Sequence, residues 1–258
     1  MITRWFGKDV PVTVAPPQHF SAKLEAVKIA LRKARRVAVL TGAGISKDSG
    51  LPTFREPQTG LWAQYKPEDL ANANAFANNP ALIWAWYAWR LGSCREALPN
   101  AGHRALSTLE RRCELTLVTQ NVDGLHRRAG STGLIELHGN LERARCTACR
   151  SVQLHEEAVK ILPRCKRCGA MLRPDVVWFG EDLPRLALQT AKAAFMTCDV
   201  ALIVGTSGLV QPAAGLASVA KRNGAVVIEI NPLETALTAV ADYTLRGASG
   251  DLLPALLE

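Results

Sequence analysis

No stretch of this 258-residue sequence is long and apolar enough to cross a bilayer. The longest uncharged run, Val200 to Ala220, is interrupted by Gly205-Thr206-Ser207-Gly208 and then by Gln211-Pro212, and reads as strand, loop and helix. The first twenty residues, MITRWFGKDVPVTVAPPQHF, hold no continuous apolar core. No secretory leader is expected, and the reading is a cytoplasmic, prokaryotic protein, with a mitochondrial home left open by the basic, extended N-terminus. Cysteine is scarce, 7 in all, which argues against a disulfide framework. Acidic residues fall short of basic ones, 23 against 31, giving a net charge of +8 that excludes an acidic solvating chain and admits an anionic ligand. There is no internal repeat and no low-complexity tract. With 48% hydrophobic and 21% charged residues, the chain is globular rather than disordered, one large domain or one domain carrying a smaller module.

Short apolar runs alternate with helical patterns. Strands are expected at 37–40 (VAVL), 115–123 (LTLVTQNVD), 135–139 (IELHG), 200–207 (VALIVGTS) and 226–231 (VVIEIN). Helices are expected at about 21–36, 80–98, 102–112, 184–197 and 211–222. This alternation implies an α/β fold with a Rossmann-like parallel sheet covered on both faces. The strands end in GAGIS, QNVD, HG, GTS and N, so a ligand cleft is expected at their carboxyl ends. Residues about 51–101, rich in Asn and Trp, and about 141–177 stand outside the alternation.

The second of these segments contains Cys146, Cys149, Cys165 and Cys168, spaced C-x2-C-x15-C-x2-C. Each pair can turn both sulfurs onto one ion, and two pairs complete a tetrahedron with no open position, so one structural Zn2+ is expected. Arg143, Arg145, Arg150, Arg164, Lys166 and Arg167 surround a site carrying net negative charge. Cys94, Cys113 and Cys198 stand alone.

Gly42-Ala43-Gly44 follows a strand and is expected to open a helix, where glycine lets backbone approach a pyrophosphate. The dinucleotide fingerprint G-x-G-x-x-G fails at Lys47. GAGISKDSGLPTFR (42–55), TQNVDGLH (119–126), ELHGN (136–140), the two Cys pairs, RPDVVWFGE (173–181) and GTSGLVQPAA (205–214) occur in one order along the chain. In that order they resemble the signature of the sirtuins, NAD-dependent protein-lysine deacylases, over about residues 20–257.

The resemblance implies a large Rossmann-like domain at about 20–50, 102–140 and 178–258. It implies a smaller zinc-ribbon plus helical domain at about 51–101 and 141–177. NAD and an acylated-lysine protein or peptide would meet in the cleft between them. Gly42, Ala43, Gly44, Ile45, Phe54 and Arg55 would line the NAD site. Gln120, Asn121 and Asp123 would contact the nicotinamide ribose and carboxamide, with Asn121 also catalytic. Gly205, Thr206 and Ser207 would hold phosphate or ribose, Asn231 the adenosine ribose and Ser249 the region of the adenine. The resemblance makes His138 the expected general base, a role that suits an imidazole, which titrates near neutrality and can take a ribose hydroxyl proton. His126 reads as packing at a helix start, and His19, His103 and His155 as surface or structural. Val177, Phe179, Gly180 and Glu181, with Leu209-Val210 opposite, would pair the substrate backbone as an added strand. Products would be nicotinamide, O-acyl-ADP-ribose and free lysine.

Tyr87 and Arg90, three residues apart on one helix, resemble the Y-x-x-R pair of class III sirtuins, which prefer succinyl and malonyl groups, with Ala71 widening the pocket. A guanidinium and a phenol can bind a terminal carboxylate through charge-assisted hydrogen bonds. Acetyl removal is expected to persist. Two other readings are a mono-ADP-ribosyltransferase on the same scaffold and a zinc-ribbon nucleic-acid-binding protein. No membrane or nucleic-acid partner is expected, and the oligomeric state is open.

Overall fold

The computed structural model describes residues 18–53, 60–154 and 162–258. α1 (Gln18–Lys33) leads into β1 (Arg36–Thr41), a 3-10 helix (Ala43–Ser49) and another 3-10 turn (Gly60–Gln64). A helical stretch follows: α2 (Pro67–Leu70), α3 (Ala73–Asn78), α4 (Pro80–Glu96) and α5 (Ala101–Leu109). Next come β2 (Glu114–Thr119), α6 (Leu125–Arg128), β3 (Leu134–Glu136), β4 (Gly139–Cys146), β5 (Val152–Leu154) and β6 (Leu172–Val176). The remaining elements are α7 (Arg185–Thr197), β7 (Val200–Val204), α8 (Gly215–Arg222), β8 (Val226–Ile230), β9 (Tyr243–Leu245) and α9 (Ser249–Leu257).

Six strands form one parallel sheet in the order β3-β2-β1-β7-β8-β9. Alternate side chains leave opposite faces, so both faces must be covered. On one face Val37, Val39, Leu117, Leu202 and Ile228 pack with Val27, Leu106 and Leu253 of α1, α5 and α9. On the other, Leu40, Val118, Ile203 and Val227 pack with Phe195 of α7 and Leu216 of α8. This double burial is why β1 and β7 read as unbroken apolar runs rather than as alternating ones.

All the expected strands lie in this sheet; β1 runs one residue further at each end than expected, and the other four stop short of their expected C-terminal ends. β2 stops at Thr119 and β3 at Glu136, because the polar residues after them leave the ladder and turn toward one another. α1 ends at Lys33 rather than near 36, since the backbone N–H groups of Arg35 and Arg36 donate to Asp199 at 2.8 Å and start β1. α8 starts at Gly215, the preceding residues forming a turn. β9 was not expected. It is three residues long and mixed in burial, too short to show a period.

The two segments outside the alternation pack together. β5-β4-β6 is an antiparallel sheet, and Leu141, Leu172, Val176 and Trp178 share one cluster with Phe76, Ile83, Trp84 and Trp86 of the helical stretch. Trp84 Nε1 donates to the Leu172 carbonyl at 3.0 Å, tying α4 to β6. Three of the five asparagines of this stretch serve as helix caps. Asn72 accepts from Ala75 N at 2.8 Å and Asn79 from Leu82 N at 3.0 Å, starting α3 and α4. Asn100 forms a capping box with His103 at the start of α5. Each such cap contributes about 1 kcal/mol by satisfying N–H groups that the helix cannot.

Candidate active site

The chain leaves the central strand β1 toward β2 on one side and meets β7 on the other, so the sheet switches direction between β1 and β7. At that point Gly42 and Gly205 touch. Gly42 N–H donates to the Val204 carbonyl at 3.0 Å, and Gly44 N–H to the Gly205 carbonyl at 2.8 Å. A Cβ on Gly44 would lie 2.7 Å from that carbonyl oxygen, and Gly205 has φ of +58°. The glycines are therefore required first by each other, with the open crevice a consequence. The helix expected after Gly42 is a 3-10 helix, ended by Gly50 in the left-handed region. Asn100 Nδ2 holds its Ile45 carbonyl at 2.7 Å and Ser49 Oγ at 3.0 Å, so the segment bonds to α5's cap rather than extending.

The loop after β2 closes onto this crevice. Gln120 Nε2 donates to Thr206 Oγ1 at 3.0 Å, bridging the exits of β2 and β7. Asn231 Nδ2 donates to the Thr206 carbonyl at 3.0 Å, adding the exit of β8. Asn121 is buried, its Nδ2 donating to the Gly42 carbonyl at 3.1 Å and lying 3.2 Å from Ser46 Oγ. Ser46 donates to Asp123 Oδ2 at 2.7 Å, and Leu125 N–H to Asp123 Oδ1 at 2.9 Å. Burial raises the Asp123 carboxyl above the ordinary range, opposed by those two hydrogen bonds. Deeper still, His126 Nε2 lies 2.9 Å from Thr41 Oγ1, which donates to Thr119 Oγ1 at 2.8 Å. The His126 and His103 rings lie 4.8 Å apart, and burial lowers their pKa values to about 3 and about 4.

His138 lies two residues beyond β3, immediately before β4, rather than within a strand end. Its backbone carbonyl accepts from Val177 N–H at 2.9 Å. Its Nδ1 is 3.0 Å from the Gln120 carbonyl. A carbonyl only accepts, so Nδ1 carries the proton and, in the neutral ring, Nε2 carries the free lone pair. Burial lowers the His138 pKa, with the Gln120 hydrogen bond opposing, which favours that neutral form. Gly139 follows at φ +85°, where a side chain would strike the Asp175 carbonyl.

The four cysteine sulfurs of Cys146, Cys149, Cys165 and Cys168 lie within 4.8 Å of one another. The N–H groups of Ala148 and Cys149 point at Cys146 Sγ at 3.4 Å, and that of Arg167 at Cys165 Sγ at 3.4 Å. Four soft donors in two knuckles fit zinc and leave no protein-free position. Of the basic residues around them, Arg143 and Arg145 pair with Asp175 instead.

The loop after β6 joins His138 to the helical stretch. Phe179 N–H donates to the Ala71 carbonyl at 2.9 Å, so this loop spans from the His138 backbone to the end of α2. Ala71 and Tyr87 are buried beneath it, and Trp178 Nε1 donates to the Tyr87 hydroxyl at 3.0 Å. Burial pushes the Tyr87 phenol up to about 12, with the nearby Arg90 charge opposing, so Tyr87 stays protonated as a donor. Arg90 is half-buried, its Cζ 5.0 Å over the Trp86 ring. The Arg90 charge also opposes, weakly, the burial that raises the Asp123 carboxyl. Phe179, Leu209 and Val210 are exposed.

A family model described as Sir2 family matches residues 42–212. The chain belongs to the Sir2 family. A relative from Thermus thermophilus, named NAD-dependent protein deacylase, is 52% identical over 240 residues, covering 91% of this chain and 94% of the relative. A solved Sir2 homolog–NAD complex is 47% identical with a TM-score of 0.87, covering 90% of this chain and 92% of that one. A Sir2–p53 peptide–NAD+ structure is 30% identical with a TM-score of 0.81, covering 91% of this chain and 97% of that one. The Sir2 fold thus accounts for both the parallel sheet and the cysteine-bearing module.

Among the residues expected to act together, Gly42, Ala43, Gly44, Gln120, Asn121, Asp123, Gly205, Thr206, Ser207 and Asn231 gather at the Sir2 crevice. Ile45 contributes backbone only, since its side chain lies in the core. Ser249 opens α9 beside the 3-10 helix, where Gly250 N–H meets Asp48 Oδ2 at 3.2 Å. Its buried hydroxyl has no partner among the described residues, an orphan that a nucleotide would satisfy. Phe54, Arg55 and His155 lie outside the described residues, as does the side chain of His19. Ser46, Thr41, Thr119 and His103 were not singled out as parts of the site. Ser46 sits inside GAGIS and was legible there, whereas His103 became part of the network only through the folding of α5 against the first 3-10 helix.

Proposed function

We propose that this Sir2 protein is an NAD-dependent protein-lysine deacylase releasing nicotinamide, O-acyl-ADP-ribose and free lysine. The observation that carries this reading is the His138–Gln120 hydrogen bond, which leaves Nε2 as the base. Bound NAD supplies a ribose carbon that exchanges nicotinamide for the acyl oxygen and a ribose hydroxyl that takes the acyl group. His138 Nε2 accepts the proton of that hydroxyl. Asn121 and Asp123 orient the nicotinamide end, and Gly42, Ala43, Gly44, Thr206 and Ser207 hold the phosphates. Asn231 and Ser249 serve the adenosine end. The orphan Ser249 hydroxyl and the glycine-lined crevice support these assignments.

The substrate strand lies along Val177, Phe179, Gly180 and Glu181, facing Leu209 and Val210. The bonds of Val177 N–H to the His138 carbonyl and of Phe179 N–H to the Ala71 carbonyl fix the course of this loop beside the pocket, which supports the reading. Tyr87 and Arg90 bind the terminal carboxylate of a succinyl or malonyl group, with Ala71 giving it room. The buried, protonated Tyr87 and the half-buried Arg90 support that preference. The large domain at about 20–50, 102–140 and 178–258 and the small one at about 51–101 and 141–177 flank the cleft. Among the described residues no helix is long and apolar enough to cross a membrane, and the Thermus relative supports a prokaryotic, cytoplasmic setting.

The test is mass spectrometry of one peptide carrying acetyl-lysine or succinyl-lysine, with and without NAD. NAD-dependent loss of succinyl faster than acetyl is expected. Acetyl faster removes the acidic-acyl assignment, and transfer of label from NAD onto protein with no acyl loss removes the deacylase.

A further inference from the structure

Trp178 has no role in the reading above, yet it is among the most constrained side chains of the acyl pocket. It is 3% exposed. Its backbone N–H donates to Glu181 Oε2 at 2.9 Å. Arg173 lies over its ring, Cζ 3.4 Å from the centroid, and is itself clamped by Glu181 and by the Val176 carbonyl at 2.9 Å. Phe76 covers it from another side with ring centroids 5.2 Å apart. The indole therefore cannot swing away from its hydrogen bond with the Tyr87 hydroxyl.

The direction of that bond follows from the donor inventory. Indole Nε1 carries a proton and no lone pair, so it only donates. The Tyr87 oxygen, 3.0 Å away, must accept. A phenol that accepts at its oxygen still has its own proton to give. The cation over the indole withdraws electron density and strengthens the N–H as a donor.

We propose that Trp178 is a positioning residue for acyl specificity: its indole N–H fixes the Tyr87 hydroxyl as an accepting group on the protein side, so that the phenolic proton is presented to the carboxylate of an acidic acyl group. The inference deepens the acidic-acyl reading and rests on it. An acetyl group offers no such acceptor, so the arrangement discriminates between acyl groups rather than raising catalysis generally.

The experiment is steady-state kinetics of Trp178→Phe, which deletes the N–H, on one peptide carrying succinyl-lysine or acetyl-lysine. The succinyl-to-acetyl ratio of kcat/KM falls about tenfold, chiefly through a higher KM for the succinyl peptide. Tyr87→Phe lowers the ratio at least as far, and the double variant falls no further than Tyr87→Phe, because Trp178 acts only through the Tyr87 hydroxyl. Where Trp178→Phe does not fold, β-(3-benzothienyl)alanine at 178 replaces N–H by sulfur with the ring shape kept, and the same ratio is read. An equal fall on both peptides overturns the proposal and leaves the acidic-acyl pocket standing. A wild-type enzyme no faster on succinyl than on acetyl overturns that pocket and the proposal with it.

Discussion

His138 donates its Nδ1 proton to the Gln120 carbonyl at 3.0 Å, and this bond determines which ring nitrogen can act as a base. His138→Ala is expected to lower acyl removal by at least about a thousandfold, within the range of general-base losses. The circular dichroism spectrum should stay that of the wild type. Because burial lowers the His138 pKa, the neutral form persists below the ordinary histidine value near 6.5. The acidic limb of the kcat/KM profile should therefore fall below that pH, and a limb above it would show that a different group is the base.

Gly44 and Gly205 leave no room for side chains at the crevice. A Cβ on Gly44 meets the Gly205 carbonyl oxygen at 2.7 Å, backbone on both sides, so nothing flexible can give way. Gly44→Ala should destabilise by roughly 1–3 kcal/mol and raise the KM for NAD severalfold. Urea unfolding and NAD titration measure the two effects, and an unchanged midpoint would mean that the exits of β1 and β7 can separate freely.

The cysteine module and His138 are joined by a single strand, since β4 begins at Gly139 and ends at Cys146 of the four-cysteine cluster. Cys146→Ser should abolish stoichiometric zinc in the purified protein and cost about 4 kcal/mol or more, the class of loss expected when a structural metal is removed. Activity should disappear with the metal. Full activity in zinc-free protein would disconnect the module from the base.

Arg90→Met should lower kcat/KM for a succinyl peptide about a hundredfold, the loss of a charge-assisted pair worth roughly 2–3 kcal/mol, while acetyl removal changes little. Equal losses would place Arg90 with Asp123, whose carboxyl its charge also reaches, rather than with the acyl group.

His103 and His126 are buried neutral, with pKa values lowered to about 4 and about 3 from 6.5. The unfolded chain binds their protons at higher pH than the folded one. Stability therefore rises with pH through this window, and is lost as pH falls from about 6.5 toward about 4, with a slope of up to about 1.4 kcal/mol per pH unit for each histidine. Urea unfolding of His126→Gln across that range should show a shallower slope than the wild type. Identical slopes would mean that His126 takes a proton without unfolding.

The order of alternating strands and helices, the ligand crevice at the strand ends and the paired cysteines were all legible in the sequence. Each rests on local regularity: apolar runs that double burial demands, Gly-rich exits and a two-residue spacing between thiols. The asparagines of residues 72–100 were visible only as a bias, because a cap is recognised when its helix exists to be capped. Tertiary structure alone decided the rest. It brought Gly205 against Gly44, His103 beneath Ser46 and Trp178 onto Tyr87, pairs separated by long stretches of chain whose partners carry no mutual signature. It also chose the tautomer of His138, which depends on the single carbonyl oxygen that the end of β2 places beside the ring.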